Sequence, residues 1–111
     1  MKPNNSFLNG VPELLVLHTL RHQEMYGYEL VQAIRAGSGE SIAFAEGVIY
    51  PVLHMLEREG ALSSRRQSVN GRSRIYYTLT PVGASRLADL AATWRRLTGA
   101  IGNVLTEPVN G

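Results

Sequence analysis

Near residue 61 the apolar residues of this chain change period, from the three-to-four spacing of helices to a strand-like run centred on Asn70-Gly71. Ala61–Ser68 precedes that pair, and Ser73–Leu79 follows it with the β-formers Ile75, Tyr76, Tyr77 and Thr78. A two-residue hairpin turn needs positive φ at both central positions, which Asn and Gly adopt at least cost. The spacing predicts one β-hairpin turning at Val69-Asn70-Gly71-Arg72.

Helical patterns lie on both sides of it. Pro12 suits a first helical turn, and Leu14, Leu15, Leu17 and Leu20 carry an apolar face to about His22. Gln23-Glu24-Met25 reads as a connection. A second helix is predicted over about Tyr26–Ala36, burying Tyr28, Leu30, Val31 and Ile34 and stopped by Gly37-Ser38-Gly39. Ser41–Ala45 is a linker with room for a short strand at Ile42–Phe44. The third helix is predicted over about Glu46–Glu59, with Val48, Ile49, Val52, Leu53 and Leu56 inward. Pro51 requires a start near Glu46, and Gly60 supplies the stop. Thr80 is placed to cap the final helix, with Pro81 at its first position.

The fold class is therefore mainly α with a small β-hairpin (α+β): a winged helix-turn-helix plus a C-terminal dimerisation helix. The expected divisions are an N-terminal arm (1–9), the winged domain (10–81), the last helix (82–105) and a tail (106–111). In such a fold the second helix of the helix-turn-helix enters the major groove, and the hairpin is placed for backbone or minor-groove contact.

Composition narrows the function. The chain has 111 residues, enough for one domain, and its 44% hydrophobic and 18% charged content is not that of a disordered protein. It has no cysteine, which excludes disulfides and thiolate metal sites. No apolar run reaches the ~18 residues of a membrane span, and the first residues lead into no secretory-type apolar segment. A cytoplasmic location is the expectation. Net charge is only +2, but residues 1–60 carry −3 and residues 61–111 carry +5. Between Glu59 and Asp89 there is no acid, while Arg65, Arg66, Arg72, Arg74 and Arg86 all fall there. Clustered arginines suit a polyanion through counterion release; a solvated basic loop is the alternative reading.

Leu87, Leu90, Trp94, Leu97, Ile101 and Val104 follow one another at alternating spacings of three and four. That is the narrow a/d seam of a coiled coil, which predicts a homodimer; packing on the chain's own first helix is the alternative. Gly99 and Gly102 weaken its far end. No cysteine nucleophile, Gly-rich phosphate loop, H-E-x-x-H or G-x-S-x-G is present, and no enzymatic activity is expected.

Several stretches are more specific. Met25-Tyr26-Gly27-Tyr28-Glu29-Leu30 resembles the H-G-Y-E-L start of a second helix, and Gly47-Val48-Ile49-Tyr50-Pro51-Val52-Leu53 a G-T/S-L/I/V-Y-P-x-L recognition helix. Leu56–Leu62 resembles L-E-x-x-G-L-L/I/V, and Arg74–Gly83 resembles R-x-Y-Y-x-L-T-x-x-G. Together they resemble the PadR family of transcriptional regulators, in its short form with one C-terminal helix. The resemblance implies a homodimeric repressor on a palindromic operator in double-stranded DNA, released by a ligand or signal. Departures are Tyr26 for the usual His, Phe44-Ala45-Glu46 for a polar lead-in, and His54-Met55 where basic residues are common. They shift the phosphate load towards the wing.

The expected DNA-facing residues are Tyr28, Gly47, Tyr50, Pro51 and His54 from the helices, and Arg65, Arg66, Asn70, Arg72 and Arg74 from the wing. At least two of those arginines should touch phosphate; Arg58 reads as a helix-end charge. Dimer contacts are expected from Leu87, Leu90, Trp94, Leu97 and Ile101. No cofactor is expected. Some short-form members hold flat aromatic effectors between two such tryptophans, which makes Trp94 a candidate ligand contact; the plainer role is filling the interface. No metal site is expected either: His18 and His22 are weak candidates, four apart but with only Glu24 as a nearby carboxylate. The competing reading of the whole chain is a winged-helix protein-interaction module without DNA binding, which has no need of four wing arginines.

Overall fold

The change of period marks where helix gives way to sheet. A computed structural model describes residues 5–106, with side chains from residue 10 on. Its elements are α1 (Asn5–Thr19), β1 (Met25–Tyr26), α2 (Gly27–Gly37), α3 (Glu46–Arg58), β2 (Leu62–Val69), β3 (Arg72–Leu79) and α4 (Pro81–Leu105). The strands form one antiparallel sheet in the order β1-β3-β2. The β2–β3 register runs from Leu62↔Leu79 to Val69↔Arg72, closed by Asn70 at φ 51° and Gly71 at φ 77°. Both turn residues are left-handed, as a primed hairpin turn requires.

The core gathers Val16, Leu17 and Leu20 of α1, Leu30 and Ile34 of α2, and Ile49, Leu53 and Leu56 of α3 against Leu62 and Tyr77 of the sheet. Helix α3 ends in a Schellman arrangement: the Gly60 N–H donates to Glu57 O (3.0 Å) and the Ala61 N–H to Leu56 O (2.9 Å). Thr80 caps α4 by accepting the Gly83 N–H (3.0 Å) and donates its own hydroxyl to Gly60 O (2.6 Å). The start of α4 is thereby locked to the end of α3.

Several local expectations change. Helix α1 already runs from Asn5, so residues 5–9 of the expected arm are helical and Pro12 lies inside the helix. A proline costs one backbone hydrogen bond there without ending the helix. The remainder of that arm, residues 1–4, and residues 107–111 of the tail lie outside the described residues. The 23–25 connection contains part of a strand, because Met25 and Tyr26 pair with Tyr77 and Tyr76. Residues 42–44 form no strand: Ser38 Oγ takes the Ile42 N–H (2.9 Å), while Ile42 and Phe44 pack on the core as loop residues. Tyr28 and Val48 are 51% and 43% exposed, outside the arcs that Leu30/Ile34 and Ile49/Leu53/Leu56 turn inward.

Helix α4, 25 residues long, spans about 37 Å at ~1.5 Å per residue. Its first half belongs to the domain. Leu87 and Leu90 pack against the core, and Arg86 Nε and Nη1 pair with Glu13 and Glu59 at 2.6 Å each, tying α4 to α1 and α3. Trp94 and Leu97 are half-buried, and beyond them Ile101, Val104 and Leu105 are 40%, 75% and 78% exposed. The seam read from sequence is thus divided: Leu87 and Leu90 face their own domain. Among the described residues no helix is long and apolar enough to cross a membrane.

Candidate nucleic-acid interface

Helix α3 turns Ile49, Leu53 and Leu56 into the core, which leaves Gly47, Pro51, His54 and Arg58 as an exposed stripe on the opposite side. Spacings of four, three and four keep them on one face. Gly47 and Pro51 are compact, so the helix backbone can approach a groove closely there. Between Glu46 and Arg58 this helix carries no lysine or arginine.

Tyr50 stands at the edge of that stripe, half-buried, with its ring centroid 6.4 Å from that of His54. Burial, and after it the Glu46 carboxylate, push its phenol above the ordinary tyrosine range, so the hydroxyl remains a donor throughout the neutral range. Its ring lies against the first residue of α2. A Cβ on Gly27 would stand 2.6 Å from Tyr50 Cε1, closer than real contacts allow. The glycine lets α2 and α3 meet with Tyr50 between them. The Glu29 carboxylate accepts the Tyr26 N–H (3.2 Å) and steadies the turn from β1 into α2.

The wing supplies charge. Arg72 is exposed near the tip, and Arg66 is exposed on β2 with Nη1 3.5 Å from Ser73 Oγ. Arg74 is half-buried, its guanidinium 4.5 Å from the Tyr26 ring centroid. Tyr26 in turn stacks on Tyr28 (6.5 Å) and meets Tyr76 edge-on (5.5 Å). A 440 Å³ cleft between Tyr28 and Arg72 joins the start of α2 to the wing, and a 280 Å³ cleft between His54 and Ile75 separates α3 from β3. Among the described residues no carboxylate pairs with Arg66, Arg72 or Arg74.

Arg65 and Arg86 are different. Arg65 Nε donates to Glu24 Oε1 (2.9 Å), Nη2 donates to Glu24 Oε2, and Nη1 donates to Gln67 Oε1 (2.5 Å). Arg86 is the three-helix tie described above. Their acids lie 41 residues away for Arg65, and 73 and 27 away for Arg86, so the acid-free stretch of sequence is not acid-free in space. Asn70 sits exposed at the turn. Sequence alone assigns Glu24 to a connection and Tyr26 to a helix start, because a two-residue strand has no period to reveal it; the structure places Tyr26 in β1 and Glu24 against Arg65.

His22 lies past the end of α1 at Thr19, so it does not share a helical face with His18. Burial, and after it Arg21, Arg95 and His22, pull His18 below the ordinary histidine range. Among the described residues no group of three or more potential metal ligands occurs.

Three packed helices, a basic hairpin hinged to the third, and an outward-turned face on that helix define a winged helix-turn-helix protein. Similarity to known proteins is consistent with that class. Residues 16–89 match the profile of the transcriptional regulator PadR-like family. The transcriptional regulator Rv3488 of Mycobacterium tuberculosis is 34% identical over 83 residues, covering 75% of each chain. Among solved structures, a PadR family regulator from Eggerthella lenta superposes with a TM-score of 0.77 at 32% identity, over 93% of this chain and 89% of that one. Bacillus subtilis PadR, solved in complex with operator DNA, gives 0.65 at 29% identity over 71% of this chain and 45% of that one. The chain belongs to the PadR-like family of transcriptional regulators, a family of regulators and not of enzymes.

Proposed function

We propose that this chain binds duplex DNA sequence-specifically as a homodimer and represses transcription from a palindromic operator. The observation that carries the reading is the group of wing arginines, Arg66, Arg72 and Arg74, with no carboxylate paired to them among the described residues, beside the outward face of α3. Tyr28, Gly47, Tyr50, Pro51 and His54 would meet the groove and its flanking phosphates, and Asn70 would follow the backbone with the wing tip. The operator complex of the Bacillus subtilis relative supports duplex DNA as the partner. A DNA partner is in keeping with a cytoplasmic address.

The second copy joins through the outer half of α4. Trp94, Leu97 and Ile101 carry the seam past the domain, and Val104 and Leu105 extend an apolar end whose exposure a partner helix would remove. Two recognition helices are then set about 34 Å apart, one turn of DNA. A flat aromatic effector at Trp94 is the proposed release signal, read as quenching of the sole tryptophan on titration.

Selection from random duplexes, followed by titration of the selected site across salt, tests the reading. Recovery of an inverted repeat whose binding weakens steeply with salt is the expected result. Failure to select any sequence favours a protein-interaction module. Ile101→Glu with Val104→Glu should yield monomers by light scattering; persistence of the dimer places the interface elsewhere. Leu90→Glu is less informative because Leu90 packs on its own core.

A further inference from the structure

Two of the acid-paired arginines, Arg65 and Arg86, fall between Glu59 and Asp89, and they invite different explanations. Arg86 is a tie between helices. Arg65 lies on the wing itself, on β2, and reaches across the whole of β3 to an acid that precedes β1. We infer that Glu24 is a positioning residue of the DNA-binding surface: its clasp on Arg65 sets the pitch of the wing, and Arg65 itself contacts no phosphate. The inference rests on the DNA-binding reading above.

The geometry is that of a staple. Arg65, Tyr76 and Tyr26 are cross-strand neighbours on β2, β3 and β1. Two strand spacings, roughly 9–10 Å, separate the outer members. Arg65 bridges that distance with its guanidinium 5.1 Å from the Tyr76 ring centroid, and both Glu24 oxygens receive it on the far side. Gln67 takes a third N–H (2.5 Å). A bidentate guanidinium–carboxylate pair fixes orientation as well as distance. The pair is electrically closed, so it offers a DNA backbone little counterion release. The hydrogen bonds from Arg65 hold the Glu24 carboxyl below the ordinary carboxylate range.

The staple is placed where the sheet is weakest. Only Met25 and Tyr26 join β1 to β3, whereas β2 and β3 pair over eight positions. Through β1 the wing is attached to the start of α2, and through Gly27 to Tyr50 of α3. A change of wing pitch would therefore move Arg72 and Arg74 relative to the recognition helix. The clasp is partly exposed, with side-chain exposures of 50% for Arg65 and 34% for Glu24, and such pairs add little to global stability. Its variants are expected to fold.

The test is DNA titration over a range of salt, using the duplex selected with the wild-type protein and Glu24→Gln, Arg65→Gln, the double variant and the swap Glu24→Arg/Arg65→Glu. Each single variant should weaken binding by about 3- to 30-fold, the range of a coupled pair, with the double variant no worse than either. The slope of log affinity against log salt should be unchanged in Arg65→Gln, and the swap, which preserves net charge, should recover most of the affinity. In the free Glu24→Gln protein, amide exchange across β1 and β3 should accelerate at an unchanged melting temperature. Tighter binding by Glu24→Gln, unchanged binding by both singles, a slope reduced by about 0.9 in Arg65→Gln, or no rescue by the swap overturns the inference. If the wild-type protein binds no duplex at all, the DNA-binding reading fails, while the exchange measurement still reports whether the clasp holds the sheet together.

Discussion

Helix α3 and the wing face the same proposed partner and are built on opposite principles. Three of the helix's side chains are fully buried and its outer stripe carries little charge, so it contributes shape and base-edge chemistry from a rigid mount. The wing is mostly exposed, and the cations without a carboxylate partner among the described residues stand near a two-residue turn. Stability should therefore reside in the helix and electrostatic affinity in the hairpin. Each can be damaged without the other.

The largest stability loss is expected from Leu53→Ala. A fully buried leucine truncated in a packed core costs about 2–5 kcal/mol, read by denaturant unfolding, and DNA binding should disappear only as the protein unfolds. Gly27→Ala comes next. The new methyl must push away the phenol end of Tyr50, at a cost of about 1–3 kcal/mol. It should weaken DNA binding although no DNA-facing group is removed, and undiminished affinity would detach Tyr50 from the interface. Gly71→Ala forces a side chain into φ 77°, costing about 1–2 kcal/mol and raising amide exchange mainly at the hairpin tip. The smallest effect on unfolding, within about 0.5 kcal/mol, should come from Arg72→Gln, the substitution here that most directly removes charge from the tip. A clear loss of stability from it would mean that the wing's cations are structural after all.

The same contrast explains what could be read in advance. The hairpin turn, the Thr80 cap and the Gly60 stop are written in neighbouring residues, and the structure realises each of them. Strand β1 was not legible, since its partner lies about fifty residues away and two residues show no alternation. The acid-free interval from Arg65 to Arg86 counted five arginines as one field, but folding brings Glu24, Glu13 and Glu59 to two of them. The leucine seam of α4 reads continuously, yet Leu87 and Leu90 turn to their own core, because spacing fixes a face and not the body that covers it. Tyr28 and Val48 look like buried residues by composition and sit outside the inward arcs by angle. Local chemistry survived translation into the fold; charge balance and burial required the third dimension.

The decisive measurement compares the salt dependence of operator binding for the wild-type protein and for Arg66→Gln/Arg72→Gln/Arg74→Gln. If these side chains meet phosphates, the triple variant should lose most of its affinity at moderate salt. Its slope should fall by about 0.9 for each contact removed, while dimerisation and melting temperature stay unchanged. An unaltered slope in a folded, dimeric triple variant would contradict the assignment of the wing as the electrostatic half of the interface.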